Sequence, residues 1–250
     1  EFERLTNDSG PTGCKIVVKT KKLTKRTKTE EWVFDPENPK PKAVAIIHCV
    51  GSRDQNFNPY CSRVCCMYSL KFGHLVREKL PDAACYEYYI DMRAFGKGYE
   101  EFFERIKEEG VHVVRGRSAK VVAHGDRMMI RGEDIIHETL IELPVDMVLL
   151  AVGLQPTADA ERLANMLGIE RVQDGWFSEL EYNVEPTSTE RGGIFVAGVC
   201  QGPKDIPDTV AQAAAVAAKV LKSIVSGSIQ GSRHRLTLLD IEQKAMSLAV

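Results

Sequence analysis

Residues 43–80 read AVAIIHCVGSRDQNFNPYCSRVCCMYSLKFGHLVREKL. Their first eight residues, AVAIIHCV, are apolar and largely β-branched, which is typical of a strand buried in a parallel sheet. From Cys61 onward, apolar side chains recur at helical spacing. The stretch therefore predicts a strand, a loop of about ten residues and a helix that opens on Cys61, the unit on which nucleotide-binding α/β domains are built.

Beyond this unit the sequence continues to alternate strands with helices. Further strands are predicted at ACYEYYIDMR, which closes on Asp91, and at VHVVRG, VDMVLLAVGLQP and GIFVAGV, with a β-meander over residues 118–143. Helices are predicted at YEEFFERIKEEG, at ADAERLANMLG and over residues 208–224, with Asp208 as the N-cap of the last one. Strands that alternate with helices in this way favour an α/β fold with a parallel sheet.

Composition describes an ordinary globular chain. Its 250 residues are 44% hydrophobic and 27% charged, with a formal net charge of −2, so nothing favours a nucleic-acid partner. No apolar run reaches the ~18–20 residues that cross a bilayer, so direct membrane insertion is not expected. Seven cysteines without an export signal favour a reducing compartment, and we predict a cytoplasmic protein.

The two ends of the chain carry weaker signals. Residues 1–42 predict a short helix at EFERL, a strand at KIVVKT and a solvated hairpin or loop in the basic stretch from Lys19 to Lys28, which could alternatively dock a partner. Residues 226–250 have a linker-like Gly/Ser content and could be non-native. Because the chain starts at Glu1 without a methionine, we expect a processed protein or a piece of a longer one.

Four cysteines lie where a nucleotide-binding domain would place its glycine-rich loop: Cys49, Cys61, Cys65 and Cys66. Such a loop needs glycines so that the backbone can approach a pyrophosphate, yet only Gly51 follows the predicted strand here. Thiolates grouped without a disulfide context predict ligands for a metal or an iron–sulfur cluster. Two alternatives remain open, namely small buried side chains and a tetrahedral zinc site, although the usual zinc spacing C-x₂-C is absent.

Several strings, FERL…SGPTG, CVGSRD, YCSRVCCMYSLK and GVCQGPKDIPDTVAQA, resemble the A subunit of heterodisulfide reductase and its flavoprotein relatives. The order of elements is similar to that of thioredoxin-reductase-like flavoproteins. The resemblance implies a Rossmann-like three-layer α/β domain with a β-meander, of the pyridine nucleotide-disulfide oxidoreductase type, plus part of an FAD domain. It divides the chain into a partial FAD-domain segment with a hairpin (1–42), the Rossmann-like unit with the cysteines (43–153), the end of an FAD domain (154–225) and a tail (226–250).

The same resemblance implies two cofactors, a 4Fe–4S cluster on Cys49, Cys61, Cys65 and Cys66, and FAD. Flavoproteins of this superfamily end the relevant strand with Gly-Asp, whereas here Gly198 is followed by Val199. The candidate flavin contacts are Lys71, Gly198, Gln201, Lys204, Asp205, Asp208 and Thr209. The G-x-G-x-x-G motif that opens an FAD domain is missing, so the FAD site is expected to be incomplete in this chain.

The function implied by the resemblance is an electron-transfer module, with iron–sulfur and flavin groups, of a heterodisulfide reductase A-like oxidoreductase. We expect it to be inactive alone and to work with other subunits of a complex, or with the missing N-terminal FAD region. Two further functions remain possible: a cofactor-free module that docks partner subunits, and a pyridine-nucleotide-binding domain, which the altered phosphate loop disfavours.

Overall fold

The computed structural model of the chain describes residues 24–26, 32–34, 40–228 and 246. Strand β1 (Thr24–Arg26), within the basic stretch, pairs antiparallel with β2 (Trp32–Phe34). The elements predicted at EFERL and KIVVKT, and most of the tail, lie outside these residues. The chain forms two compact units that divide after Gly153.

The first unit is built on a four-stranded parallel sheet. Its strands are β3 (Ala43–Val50), β4 (Ala84–Tyr89), β5 (Val111–Arg115) and β9 (Met147–Val152), in the spatial order β5-β4-β3-β9. Every pair within the sheet runs parallel. The strand predicted at AVAIIHCV is central, and its residues 43–49 are buried because both faces of the sheet are covered.

Two layers cover the sheet. On one face, helices α1 (Cys65–Lys79) and α2 (Tyr99–Glu108) pack over a core that includes Ile46, Leu70 and Ile106. On the other face, a β-meander of β6 (Ser118–His124), β7 (Arg127–Asp134) and β8 (Thr139–Val145) packs over Ile47 and Tyr88. Ile46 and Ile47 serve opposite cores because successive strand residues point to opposite faces. The predicted α/β fold, with its three layers and meander, is confirmed.

Two predicted boundaries in this unit are wrong. Helix α1 begins at Cys65 instead of Cys61, because Arg63 adopts a left-handed backbone conformation (φ 60°) that a helix does not continue through. Cys61 and Cys65 therefore do not share a helix face. Strand β4 ends at Tyr89, so Asp91 lies in the loop that follows it.

Over residues 154–228, the second unit contains two α-helices, α3 (Ala160–Leu167) and α4 (Ile206–Ser226). The strand predicted at GIFVAGV does not form a ladder: within the described residues this segment makes one bridge, between Ser188 and Phe195, before a 3₁₀ turn at Gly198–Cys200. The predicted N-cap Asp208 is also wrong. Asp205 caps α4, since its carboxylate accepts a hydrogen bond from the Asp208 N–H (2.9 Å).

Helix α4 differs from the other helices in its exposure. None of its residues is buried, and its length and mean hydropathy of 1.2 would suffice to cross a bilayer. The expectation that no segment reaches this threshold is therefore wrong. Length and composition alone are weak grounds for a membrane span, because core helices of soluble proteins pass the same test.

Candidate metal centre

The four predicted cysteines line one pocket at the carboxyl end of β3, the edge where open α/β sheets bind ligands. Cys49 lies near the end of the strand, Cys61 lies in the loop, and Cys65 and Cys66 occupy the first two positions of α1. Three of the sulfur-bearing residues are buried and Cys61 is half-buried. The rest of the lining consists of Ser52, Arg53, Ser62, Arg63, Asp91 and Arg93.

The backbone around the pocket is strained. Cys49, Arg53 and Arg63 have φ values of 57°, 56° and 60°, and among the described residues only one other non-glycine residue, Glu138, has a positive φ. Such conformations cost on the order of 1–3 kcal/mol each and persist only where the surroundings impose them. Here the Arg53 N–H donates to the Tyr60 carbonyl (2.9 Å) and so closes the loop on itself. The loop is therefore held in one shape at an energetic cost, as is common at functional sites.

A buried serine pair anchors this loop beneath the pocket. The hydroxyls of Ser52 and Ser62 lie 2.7 Å apart, and both residues are fully buried. They pack on Gly153 at the end of β9, where a Cβ atom would overlap the Ser52 hydroxyl and come within 2.8 Å of the Ser62 hydroxyl. In the sequence, Gly153 is simply part of the predicted strand VDMVLLAVGLQP. Its role depends on the approach of two serines from elsewhere in the chain, so the sequence carried no signal for it.

N–H groups approach the sulfur atoms. The Arg63 backbone N–H donates to Cys61 Sγ (3.3 Å), while the Arg53 guanidinium acts to lower the pKa of Cys49 and the Arg93 backbone acts to lower that of Cys66. Hydrogen bonds of this kind stabilise thiolates and the anionic sulfur of metal clusters. Arg53 is itself held by Asp91 (2.6 Å), and this hydrogen bond keeps the pKa of the Asp91 carboxyl below its usual value.

The four thiols influence one another electrostatically. Burial, and then the neighbouring Cys49, Cys66 and Cys61, raise the pKa of Cys65 to about 12. Burial also raises the pKa of Cys49. Burial acts the same way on Cys66, but His48 and the Arg93 backbone together outweigh it, and the pKa of Cys66 falls below that of an ordinary thiol. Without a cation at the pocket, these thiols therefore do not all ionise at neutral pH.

A buried ion pair lies behind the pocket. His48 Nε2 and Glu87 Oε2 are 3.1 Å apart, and both side chains are fully buried. Burial disfavours the imidazolium, but the contacts with Cys66 and Glu87 raise the pKa of His48 to about 9. Sequence reasoning did not select Glu87, because its partner lies 39 positions away and on another strand.

The donor set fits an iron–sulfur cluster better than a single zinc ion. Four thiolates on one zinc must lie about 4 Å from each other, given Zn–S bonds of about 2.3 Å. Within the part of the chain that the structure describes, no three His, Cys, Asp or Glu side chains are grouped closely enough to hold one ion. In a 4Fe–4S cluster each thiolate binds a different iron, so the four sulfur atoms do not have to be as close together as on one zinc. Arg53, which lines the pocket, has a buried Nη1 with no acceptor among the described residues, and a sulfur atom of a cluster would accept its hydrogen bond.

The predicted flavin contacts lie in both units. Lys71 is exposed on α1, whereas Gly198, Gln201, Lys204, Asp205, Asp208 and Thr209 surround the start of α4. Several of these side chains are hydrogen-bonded: Gln201 donates to the Pro186 carbonyl (2.9 Å), Thr209 donates to the Asp205 carbonyl (2.8 Å), and Asp205 accepts from the Asp208 N–H (2.9 Å).

Gln212, which sequence reasoning did not select, links this segment together. Its side-chain oxygen accepts from the Gly198 N–H (2.7 Å), and its amide nitrogen donates to Gln201. From Gly198 to Gln212, the described side chains leave no buried polar atom without a partner. The residues present therefore do not by themselves form a flavin site.

Comparison with known proteins shows which proteins the chain is similar to. No protein-family model matches it. It is 43% identical over 233 residues to the CoB–CoM heterodisulfide reductase iron-sulfur subunit designated A 2 of Methanopyrus kandleri, and the match covers 92% of this chain and 33% of that protein. This chain is heterodisulfide reductase A-like. A second relative, the A subunit of the H(2):CoB-CoM heterodisulfide,ferredoxin reductase of Methanothermobacter marburgensis, is 42% identical over 233 residues, with 92% of this chain and 33% of its own covered.

The heterodisulfide reductase A-like chain spans about a third of the length of these curated relatives. A third relative, a protein of Archaeoglobus profundus named as similar to the A subunit of heterodisulfide reductase, is 38% identical over 239 residues; 92% of this chain and 34% of that protein are covered. Among solved structures, Lactococcus lactis thioredoxin reductase matches 74% of this chain and 54% of its own with 17% identity and a TM-score of 0.47.

Proposed function

We propose that this heterodisulfide reductase A-like chain is an electron-transfer module that holds a 4Fe–4S cluster on Cys49, Cys61, Cys65 and Cys66. The observation that carries the proposal is the convergence of four cysteines on one pocket that is also lined by Arg53, whose buried Nη1 has no acceptor among the described residues. When bound, a cluster of this kind accepts and releases single electrons. The words "iron-sulfur" in the name of the Methanopyrus kandleri relative support the same assignment.

The pocket offers the surroundings that an anionic cluster needs. Cationic side chains from two loops, Arg53 and Arg63 before α1 and Arg93 after β4, line it and offset the charge of the thiolates. Burial of Cys49, Cys65 and Cys66 keeps water from most of the site. Because electron transfer requires no proton donor or nucleophile, the work of these residues is to position the group and to set its potential.

A pyridine nucleotide is disfavoured by the same loop. A phosphate cradle presents backbone N–H groups to the ligand, but here N–H groups of the loop bond to carbonyls of the loop itself, as that of Asp54 does to Asn58 (2.9 Å). We expect NADH and NADPH to bind no more tightly than ~1 mM, about −4 kcal/mol. Isothermal titration calorimetry tests this, and micromolar affinity would contradict the displaced phosphate loop.

The flavin and the partner subunits are the second part of the proposal. We infer that the chain contributes the ring-facing residues of an FAD site, Lys71, Lys204 and Asp208 among them, and that the remaining surface comes from a partner or from an N-terminal FAD region. The relatives are named as one subunit of a reductase, which supports assembly with further subunits. Purified alone, the chain should lack FAD; stoichiometric FAD retained through gel filtration would contradict this.

Anaerobic reconstitution tests the cluster. The chain is loaded with iron and sulfide, desalted, and analysed for iron, acid-labile sulfide and zinc, with electron paramagnetic resonance (EPR) after reduction. About four irons and four sulfides per chain and a signal from a reduced cluster support the proposal. Stoichiometric zinc that iron does not replace would instead establish a zinc site, and no metal uptake at all would favour a docking module.

A further inference from the structure

We propose that Arg53 and Asp91 form a positioning pair: Asp91 holds the guanidinium of Arg53 at the cysteine pocket, where it donates a hydrogen bond to a sulfur atom of the bound cluster and raises the reduction potential. This inference rests on the proposed function. It assigns a role to two side chains that line the pocket but are not among the four predicted ligands.

The backbone at Arg53 points to a role of its side chain. Arg53 lies in the loop between β3 and α1 and adopts a left-handed conformation, with a φ of 56°. Glycine adopts this conformation without a steric penalty, whereas for a residue with a side chain it costs on the order of 1–3 kcal/mol. The loop would therefore form more easily with glycine at this position, and only the arginine side chain can offset the difference.

The two terminal nitrogens of the Arg53 guanidinium have different surroundings. Nη2 donates to Asp91 Oδ2 over 2.6 Å, a short, charge-assisted hydrogen bond. Nη1 is buried and has no acceptor among the described residues. A buried donor without an acceptor is costly. Because Arg53 lines the cysteine pocket, a sulfur atom of the bound cluster is the acceptor that this site would supply.

Asp91 is itself held from a second direction. Its other oxygen, Oδ1, accepts a hydrogen bond from Nη2 of Arg115 (3.2 Å), which is the last residue of β5. Each carboxylate oxygen is thus bonded to a different arginine, and the carboxylate cannot turn without losing one of the two bonds. Asp91 therefore fixes the orientation of the Arg53 guanidinium relative to the sheet.

A guanidinium N–H at a cluster sulfur has a defined consequence for the potential. The reduced cluster carries one more negative charge than the oxidised cluster, so a positive donor stabilises the reduced form more and raises the potential. Arginine remains protonated in proteins, so the donor is present at every working pH. An ionised carboxylate only accepts hydrogen bonds, and Asp91 therefore acts through the orientation of Arg53.

Variants that conserve charge separate orientation from net charge. Arg53→Lys keeps the positive charge but has one nitrogen in place of the planar fork, so it cannot serve Asp91 and the cluster as Arg53 does. Asp91→Glu keeps the negative charge but moves the carboxylate by one methylene. Arg53→Gln removes both the charge and the fork. Arg117→Lys is the matched control, because Arg117 forms the same kind of pair with Asp54 (3.0 Å) but does not line the pocket.

The measurement is an EPR-monitored redox titration of chains with equal iron content. We expect the most negative midpoint potential in Arg53→Gln, smaller shifts in the same direction in Arg53→Lys and Asp91→Glu, and the parent potential in Arg117→Lys. Parent potentials in both Arg53→Lys and Asp91→Glu would overturn the positioning pair, because charge alone would then set the potential. A shift in Arg117→Lys as large as that in Arg53→Lys would overturn it as well.

A spectroscopic measurement begins with the parent chain. With ¹⁵N in the arginine guanidinium groups, pulsed EPR of the reduced cluster should detect a coupled nitrogen; a cluster without such coupling would refute the positioning pair and leave the proposed function intact. Because Arg63 and Arg93 also line the pocket, the coupling is assigned by its loss in Arg53→Lys, and its persistence there would overturn the pair. Failure of the parent chain to take up iron and sulfide would instead refute the proposed function, and the positioning pair with it.

Discussion

The cysteine pocket and the start of α4 are the two regions to which the sequence assigns cofactors, and they are built in opposite ways. At the pocket, the backbone is strained at Cys49 and Arg53, and the buried Nη1 of Arg53 lacks an acceptor among the described residues. At the start of α4, Gln201 and Gln212 bond to each other and to nearby backbone, Thr209 donates to the Asp205 carbonyl, and no residue of the helix is buried. A buried donor without an acceptor indicates a region prepared for a ligand. Where the side chains already bond to each other, as at the start of α4, a ligand site needs additional residues from another surface.

The largest effect that this comparison predicts is on iron content. Cys65→Ser should reduce bound iron from about four per chain to near zero, because a serine oxygen is a poor substitute for a buried thiolate ligand. Cys200→Ser, at an exposed cysteine of the other region, should leave iron unchanged. Iron and sulfide analysis after identical reconstitution provides the test; equal losses in both variants would remove the distinction between the regions.

The next largest effect is expected on stability, at the serine pair that packs on Gly153 beneath the pocket. Gly153→Ala forces a methyl group against Ser52 and should lower the free energy of unfolding by ~1–3 kcal/mol, the usual cost of overpacking. Denaturant unfolding of the cluster-free chain measures it. The double variant Ser52→Ala/Gly153→Ala removes the overlapping hydroxyl and should recover part of this loss. If the double variant loses more unfolding free energy than the two single variants lose together, the contact with the serine is not the cause of the loss.

Cluster assembly should also depend on pH in a defined direction. Thiols must lose protons to bind iron, and burial raises the pKa of Cys49 and takes that of Cys65 to about 12. Raising the pH towards 12 therefore increases the deprotonated fraction of Cys65, and a higher pH favours deprotonation of Cys49 as well. Initial iron uptake should be faster at pH 8.5 than at pH 7, in stopped samples analysed for iron. Uptake that is independent of pH across this interval would mean that these protons are not released on binding.

The smallest expected effect is at the start of α4. Gln212→Ala removes the acceptor of the Gly198 N–H and should cost about 1 kcal/mol of stability in the second unit, the typical value of one hydrogen bond. Hydrogen exchange at Gly198 and Gln201 reports the loss. Iron content should not change, and a coupled loss of iron would show that the two regions depend on each other.

A feature could be predicted from the sequence when the residues that determine it lie close together along the chain. Strands β3 and β9, the meander and helix α2 were predicted because apolar periodicity is a local property. The four cysteines were selected because their type and grouping already specify a sulfur-rich site. The strand at GIFVAGV was predicted on the same local grounds and was wrong, since a strand also requires a neighbour to pair with.

The sequence by itself determined the α/β class, the cysteine set and the segment that resembles a flavin site. Only the tertiary structure decided that α1 begins at Cys65, that Gly153 admits the serine pair, and that Glu87 meets His48 across 39 positions. Each of these depends on contacts between side chains brought together by the sheet, and such contacts leave no periodic pattern along the chain. The same contacts leave Arg53, which lines the pocket, with a buried Nη1 that has no acceptor among the described residues, and a cluster sulfur would satisfy it.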